Sequence, residues 1–404
     1  MTLELEKLSE PVQRMAEGAA QRREQEHVLL DVLEQKLREH RTAWEKIEKA
    51  MDTATNTLDM KWYRSARPLT HEEPLDAAID APPPPAEATL VACDGSQIVP
   101  NRHAAFLYSV INVGIIIYHH GQARAPLQNT HPVLDYPGNG EEEEAFVDKA
   151  AIISLRRDLA EIETLVREAQ VYCTPNTPVL ALLDQRLLYW PVGSSGDDEG
   201  QRVLFGWQRA MNEAASNGCM LAGYIDRPGK RSLLTFLRTL DINNAGFESS
   251  VLLKPDYGPG FNDVLLFRRI LTEPGQRSAV FVDVSQHNDA FRGRHPHNEV
   301  CFFYLNAGRR GRQIARVDIP RWVAEDPQKV DRVHALVVDQ CQIMGDYPYV
   351  LARADELAVI GYQDRENLDI MIENAMARHA VHGAVTAKQS SKNVARAGRT
   401  RHAV

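Results

Sequence analysis

The chain has 404 residues, 44% hydrophobic and 25% charged, enough for one large or two ordinary soluble domains. Its formal charge of −9 excludes a broad basic surface, so any contact with nucleic acid must be local. The five cysteines (Cys93, Cys173, Cys219, Cys301 and Cys341) form no C-x-x-C pair, which argues against a disulfide framework or a zinc knuckle and for a reducing compartment. No signal peptide is evident at the N-terminus, and the longest apolar stretch, 104–118, is too short to span a bilayer. A cytoplasmic protein without membrane spans is expected.

Residues 1–65 are expected to be a helical arm. Leu5, Leu8, Val12, Met15 and Ala19 keep a helical spacing, and Leu30, Leu33, Leu37, Trp44, Ile47 and Met51 keep it in a shifted register. The arm either packs on its own domain or serves dimerisation or partner docking. Residues 66–87, with four prolines at 82–85, suit a linker, because proline fits neither a helix interior nor a central strand. A main domain follows over 88–380. Its expected strands are 89–93, which runs into a turn at Asp94-Gly95-Ser96, then 104–118, a further strand after His119-His120-Gly121, 178–184, 219–225, 279–284, 300–305 and 314–319. Its expected helices are 141–169, 200–217, 232–241, 263–271, 327–344 and 365–379. Strands in a meander followed by alternating helices and strands predict an α/β fold with a mixed sheet flanked by helices. Residues 381–404 suit a basic, disordered tail with Lys388, Lys392, Arg396, Arg399 and Arg401.

Asp94 and Asp184 each end an apolar run. Carboxylates placed so can converge on a hard divalent cation, which lowers the pKa of an attacking water and neutralises a phosphate. The intervening helix offers Glu161 or Glu163 as a third acid, and Asp355 and Glu356 lie between apolar residues further on. Gly223 to Ser232 is no P-loop, since five residues separate Gly223 from Gly229 and Arg231 follows Lys230. Its Arg227 and Lys230 instead offer cations for a phosphate. His287, His295 and His297 suit an exposed loop. No G-x-S-x-G or paired cysteine nucleophile competes.

In this order the segments resemble the NurA nuclease family. They are Asp94-Gly95-Ser96, an acid on a long helix, Leu182-Leu183-Asp184, Gly223 to Pro228, Asp263 with Gly275-Gln276-Arg277-Ser278, and Tyr347-Pro348 with Ala354-Asp355-Glu356-Leu357. The resemblance implies an RNase H-like core and Mn²⁺- or Mg²⁺-dependent cleavage of DNA, as a single-strand endonuclease and 5′-to-3′ exonuclease. It also implies a homodimer working with a HerA-type hexameric ATPase in break-end resection. By the same resemblance Asp94, Asp184 and Glu161 (alternatively Glu163) match the metal-binding acids, and Arg227 or Lys230 the basic position. Asp355 stands where many members have histidine, and Gln185-Arg186 follows Asp184 where a Gly-Ser-like turn is common. A catalytically weak dimeric adaptor of a DNA-translocating ATPase is the alternative, and a phosphoesterase acting on small nucleotides is less favoured.

Overall fold

The computed structural model describes residues 4–138, 143–147, 150–174, 177–190, 198–254, 258, 260–309 and 313–381. Helices α1 (Ser9–Glu39) and α2 (Trp44–Thr57) lead into strand β1 (Ser65–Pro68). Then come β2 (Ala88–Ile98), β3 (Ser109–His120), β4 (Leu127–Asp135), α3 (Glu143–Val147), α4 (Ala150–Gln170), β5 (Val179–Leu183) and α5 (Asp198–Ser216). Next are β6 (Met220–Ile225), α6 (Ser232–Thr239), α7 (Ser250–Leu253), α8 (Asp263–Ile270), β7 (Phe281–Val284) and α9 (Gln286–Arg294). The chain continues through β8 (Val300–Asn306), β9 (Ile314–Pro320), α10 (Arg321–Ala324), α11 (Pro327–Met344), α12 (Tyr349–Ala358) and α13 (Tyr362–Arg378). No described helix is long and apolar enough to cross a membrane. The expected basic tail lies outside the described residues, apart from its first residue, Val381.

Two compact units share the chain. The first takes residues 1–85, 185–188 and 221–349, and the second takes 86–184, 189–220 and 350–404.

In the first unit the strands run in the order β1-β7-β8-β9-β6 with antiparallel neighbours. The arm divides in two. Leu30, Leu33 and Leu37 of α1 and Ile47, Ala50 and Met51 of α2 are buried in one core with Leu233, Phe236 and Leu237 of α6 and Phe267 of α8. Each large apolar side chain among them stabilises the unit by about 1.5–3 kcal/mol. Leu5, Leu8, Val12 and Met15, at the same helical spacing, are exposed. Within the Pro-rich 66–87 stretch the chain is fastened to this unit. Pro68 closes the edge strand β1, where no ladder donor is needed. Glu73 accepts from Arg277 Nη2 at 2.7 Å and from the Val280 amide at 2.8 Å, and Ile79 bridges Arg277.

In the second unit β2, β3 and β4 form an antiparallel meander, and β5 lies parallel to β2 on its other side, in the order β5-β2-β3-β4. A parallel neighbour needs a crossover, and α4 supplies it. The result is the expected mixed sheet with helices packed on it. Ile162, Leu165, Val166 and Ala169 of α4 are buried, and α4 packs on β2, β3, β5 and α5. At the other end Ile98, Tyr108 and Val110 pack with Ile360, Leu368 and Ile372.

Candidate active site

Strand β2 does not end at Asp94. It runs on to Ile98 because β3 continues to pair with it, Asp94 opposite Gly114 and Ser96 opposite Asn112. The expected turn at Asp94-Gly95-Ser96 is therefore corrected to extended strand. What ends at this point is the neighbour. The β2–β5 ladder stops at Cys93 and Leu183, and Asp94 and Asp184 are the next residues along the chain. Both acids thus stand one residue past the last parallel pair, where the ladder between the two strands has stopped.

Successive residues of a strand face opposite sides of the sheet, and the motif uses both. Gly95 faces α4. A Cβ there would lie 2.4 Å from Glu161 Oε1 and 2.9 Å from Arg157 Cγ, so only glycine lets that helix bring Glu161 onto the strand. Asp94 and Ser96 face α12. Gly114, the partner of Asp94, leaves room for the backbone of that helix, since a Cβ there would be 2.4 Å from the Ala358 nitrogen. Ser96 Oγ donates to the Ala358 carbonyl at 2.5 Å and Asn112 Nδ2 to the same oxygen at 2.9 Å, which fixes the end of α12. That anchoring places Asp355 close enough to Asp94 to raise its pKa.

The electrostatics follow from this crowding. Asp94 accepts the Gly95 amide at 2.8 Å on Oδ1. Partial burial raises its pKa above the usual carboxylate value and Asp355 raises it further, against the opposing Gly95 amide and Arg157. Glu161, 5% exposed, is pushed up to about 8. Burial is the main cause, Arg157 opposes it at 3.2 Å, and Asp158, Asp94 and Asp184 add to it. Glu163, the alternative, is instead paired with Arg209 of α5 at 2.5 Å. Sequence reasoning missed Asp158, which accepts from Arg157 Nη2 at 2.8 Å and Tyr189 Oη at 3.1 Å. Its signal was the i, i+3 spacing to Glu161 on one helix face.

Asp94 and Asp355 thus meet on one face, while Glu161 approaches from the other and is within electrostatic reach of Asp94 and Asp184. Among the described residues no three of His, Cys, Asp and Glu stand together as a ready-made metal cage. The donor chemistry nonetheless suits a hard cation, because every donor is a carboxylate oxygen and their mutual repulsion is what a divalent ion relieves.

The model of the NurA domain family matches residues 88–360, more than half of the chain. This protein belongs to the NurA family. Among solved structures, the NurA nuclease from Sulfolobus solfataricus is similar over 91% of this chain and 98% of its own, with 14% identity and a TM-score of 0.47. A second NurA structure is similar over 82% and 95%, with 10% identity and a TM-score of 0.38. The human endonuclease V catalytic domain is similar over 73% and 91%, with 11% identity and a TM-score of 0.33. No curated protein matches.

The other NurA-like segments lie in the first unit, and several are structural. Asp263, fully buried, accepts the Leu233 and Leu234 amides that open α6 and the Tyr304 hydroxyl. Arg277 is buried and paired with Glu73. Arg227 is exposed, 3.7 Å from Asp226, and Lys230 is half-exposed and paired with Asp283 at 2.8 Å. His287 lies on α9, capped by Ser285, and His295 and His297 follow directly, so the expected loop at 287 is corrected to helix.

Proposed function

We propose that this NurA-family nuclease is a divalent-metal-dependent deoxyribonuclease that cuts single-stranded DNA internally and digests ends from 5′ to 3′. The observation that carries the reading is the crowding of carboxylates beside the end of the β2–β5 ladder: Asp94 against Asp355, with Glu161 and Asp184 in electrostatic reach. Asp94, Asp184, Glu161 and Asp355 would hold Mn²⁺ or Mg²⁺. The ion supplies a lowered water pKa and neutralisation of the phosphate and the leaving oxygen. Tyr189 and Arg157 hold Asp158, and Arg157 faces Glu161, so the helix acid is oriented before any substrate arrives. Arg227 or Lys230, in the first unit, would bind a phosphate of the DNA.

The proposal extends to a cytoplasmic homodimer acting with a HerA-type translocase in double-strand break end resection. Residues 88–380 would form the nuclease body, 1–65 the arm, 66–87 its connection and 381–404 a basic tail. Cleavage of single-stranded DNA with Mn²⁺ is the test: wild type cuts and Asp94→Ala does not, and equal rates in the two would sink the assignment.

The exposed Leu5, Leu8, Val12 and Met15 favour a second role beside the first, as an adaptor that docks the ATPase through the start of α1. Removing residues 1–20 would then abolish ATPase binding while leaving cleavage intact. Retained binding by the truncated protein would exclude this role.

A further inference from the structure

Four cationic or imidazole side chains from four separate segments of the first unit lie around the end of β7. The antiparallel register sets Ser65 opposite Val284, which brings Arg64 alongside the residues that follow β7. Arg64 Nη2 lies 3.3 Å from His287 Nε2. Lys230 is held over the same place by Asp283, which also accepts from Ser285 Oγ at 2.9 Å. Arg186 follows from the short segment fastened where the Leu187 amide donates to Asp318 Oδ2 at 3.1 Å. Burial is the main cause that lowers the pKa of His287 to about 4; Arg64, Lys230 and Arg186 add to it, and Asp283 opposes them.

The carboxylates here compensate only part of this charge. Asp283 is buried between Lys230 and Arg316, and Asp318 is taken up by Arg316. Among the described residues neither Arg64 nor Arg186 is paired with a carboxylate, and both are exposed. Like charges gathered this way repel one another, and an anion of the right size removes the penalty. Guanidinium groups present paired N–H donors that match phosphate oxygens, and a neutral imidazole adds a hydrogen bond without requiring a further charge.

We propose that Arg64, Arg186, Lys230 and His287 form a seat for a backbone phosphate of single-stranded DNA, an arrangement that adds Arg64, Arg186 and His287 to the phosphate-steadying role given to Lys230. The identity of the ligand rests on the nuclease reading, whereas the seat rests on the side chains alone. Phosphate contacts of this kind set affinity and register and carry no base sequence.

The test is binding of a fluorescent single-stranded oligonucleotide by the full chain in EDTA, followed by anisotropy across a series of salt concentrations. Arg64→Ala and Arg186→Ala should each weaken binding about three- to tenfold, and the double variant should lower the slope of log affinity against log salt by about 0.7 for each phosphate that is no longer neutralised. Arg64→Lys keeps the charge but not the paired donors, so it should keep the wild-type salt slope with an affinity between wild type and Arg64→Ala. The same strand made as a neutral methylphosphonate should bind wild type no better than the double variant binds the natural strand. Wild-type affinity and slope in the double alanine variant, with an unchanged thermal midpoint, would overturn the proposal. Weakened binding by the double variant, with no cleavage by wild type under any metal, would leave the seat standing and remove the nuclease activity. Normal cleavage by wild type with unaltered binding by the double variant would do the reverse.

Discussion

Two clusters of buried acid behave in opposite ways. In the first unit Asp283 is fully buried, which alone would raise its pKa, yet Lys230 and Arg316 face it and hold it well below the usual carboxylate range. Arg316, 2% exposed, spans Asp283 and Asp318 and lies over the Phe302 ring at 3.7 Å. In the second unit Glu161 is also buried, but there Arg157 works against burial, Asp158, Asp94 and Asp184 together, and the pKa goes up to about 8. Asp94 shifts upward as well, through its own burial and then Asp355. A buried carboxylate supplied with cations is architecture. One crowded by other carboxylates keeps an electrostatic cost that a substrate-bound or resident cation removes, and such groups cluster where chemistry happens.

The largest expected effect breaks the architectural side. Arg316→Ala would leave Asp283 and Asp318 buried without their shared partner, and urea unfolding should show a loss of about 3–5 kcal/mol. On the other side, with Asp94 in its proposed metal-holding role, Asp94→Ala should lower cleavage more than about a hundredfold, since losing even the outer partners of a metal ligand costs 10–100-fold. Its thermal midpoint should hold or rise, because the change relieves repulsion. A fall in midpoint comparable to that of Arg316→Ala would erase the distinction. Gly95→Ala should cost about 1–3 kcal/mol and slow cleavage, as the new Cβ displaces Glu161 and Arg157.

The contrast has a sign in pH. In the folded chain Glu161 keeps its proton up to about pH 8, whereas an unperturbed carboxyl releases it near 4.5. Between those values the unfolded state binds fewer protons, so stability falls as pH rises from about 4.5 to about 8. Melting curves across this window should show that fall, and Glu161→Gln should flatten it. The smallest expected effect is that of Glu163→Gln, which removes only a surface pair with Arg209: below about 1 kcal/mol in stability, with cleavage unchanged.

Sequence pattern alone determined most of the elements. The apolar faces of α4 and α11, the β-branched run of β3 and the acid that follows β5 each depend on near neighbours in the chain, and local periodicity reports such things directly. It also isolated Asp94, Gly95 and Ser96, but took them for a turn. Whether a strand goes on past a glycine is decided by its partner, and β3 continues opposite while β5 stops. The three residues have separate jobs that only packing assigns: Asp94 meets Asp355, Gly95 admits Glu161, and Ser96 ties down α12. The sequence put Glu161 first with Glu163 as the alternative, and spacing alone does not show what each one meets. Two residues apart on one helix, Glu161 faces Arg157 of its own helix and Glu163 faces Arg209 of α5. Arg64, Arg186, Lys230 and His287, scattered over more than two hundred positions, could not be grouped by spacing at all. The antiparallel register of β1 on β7 and the anchoring of Lys230 by Asp283 brought them together.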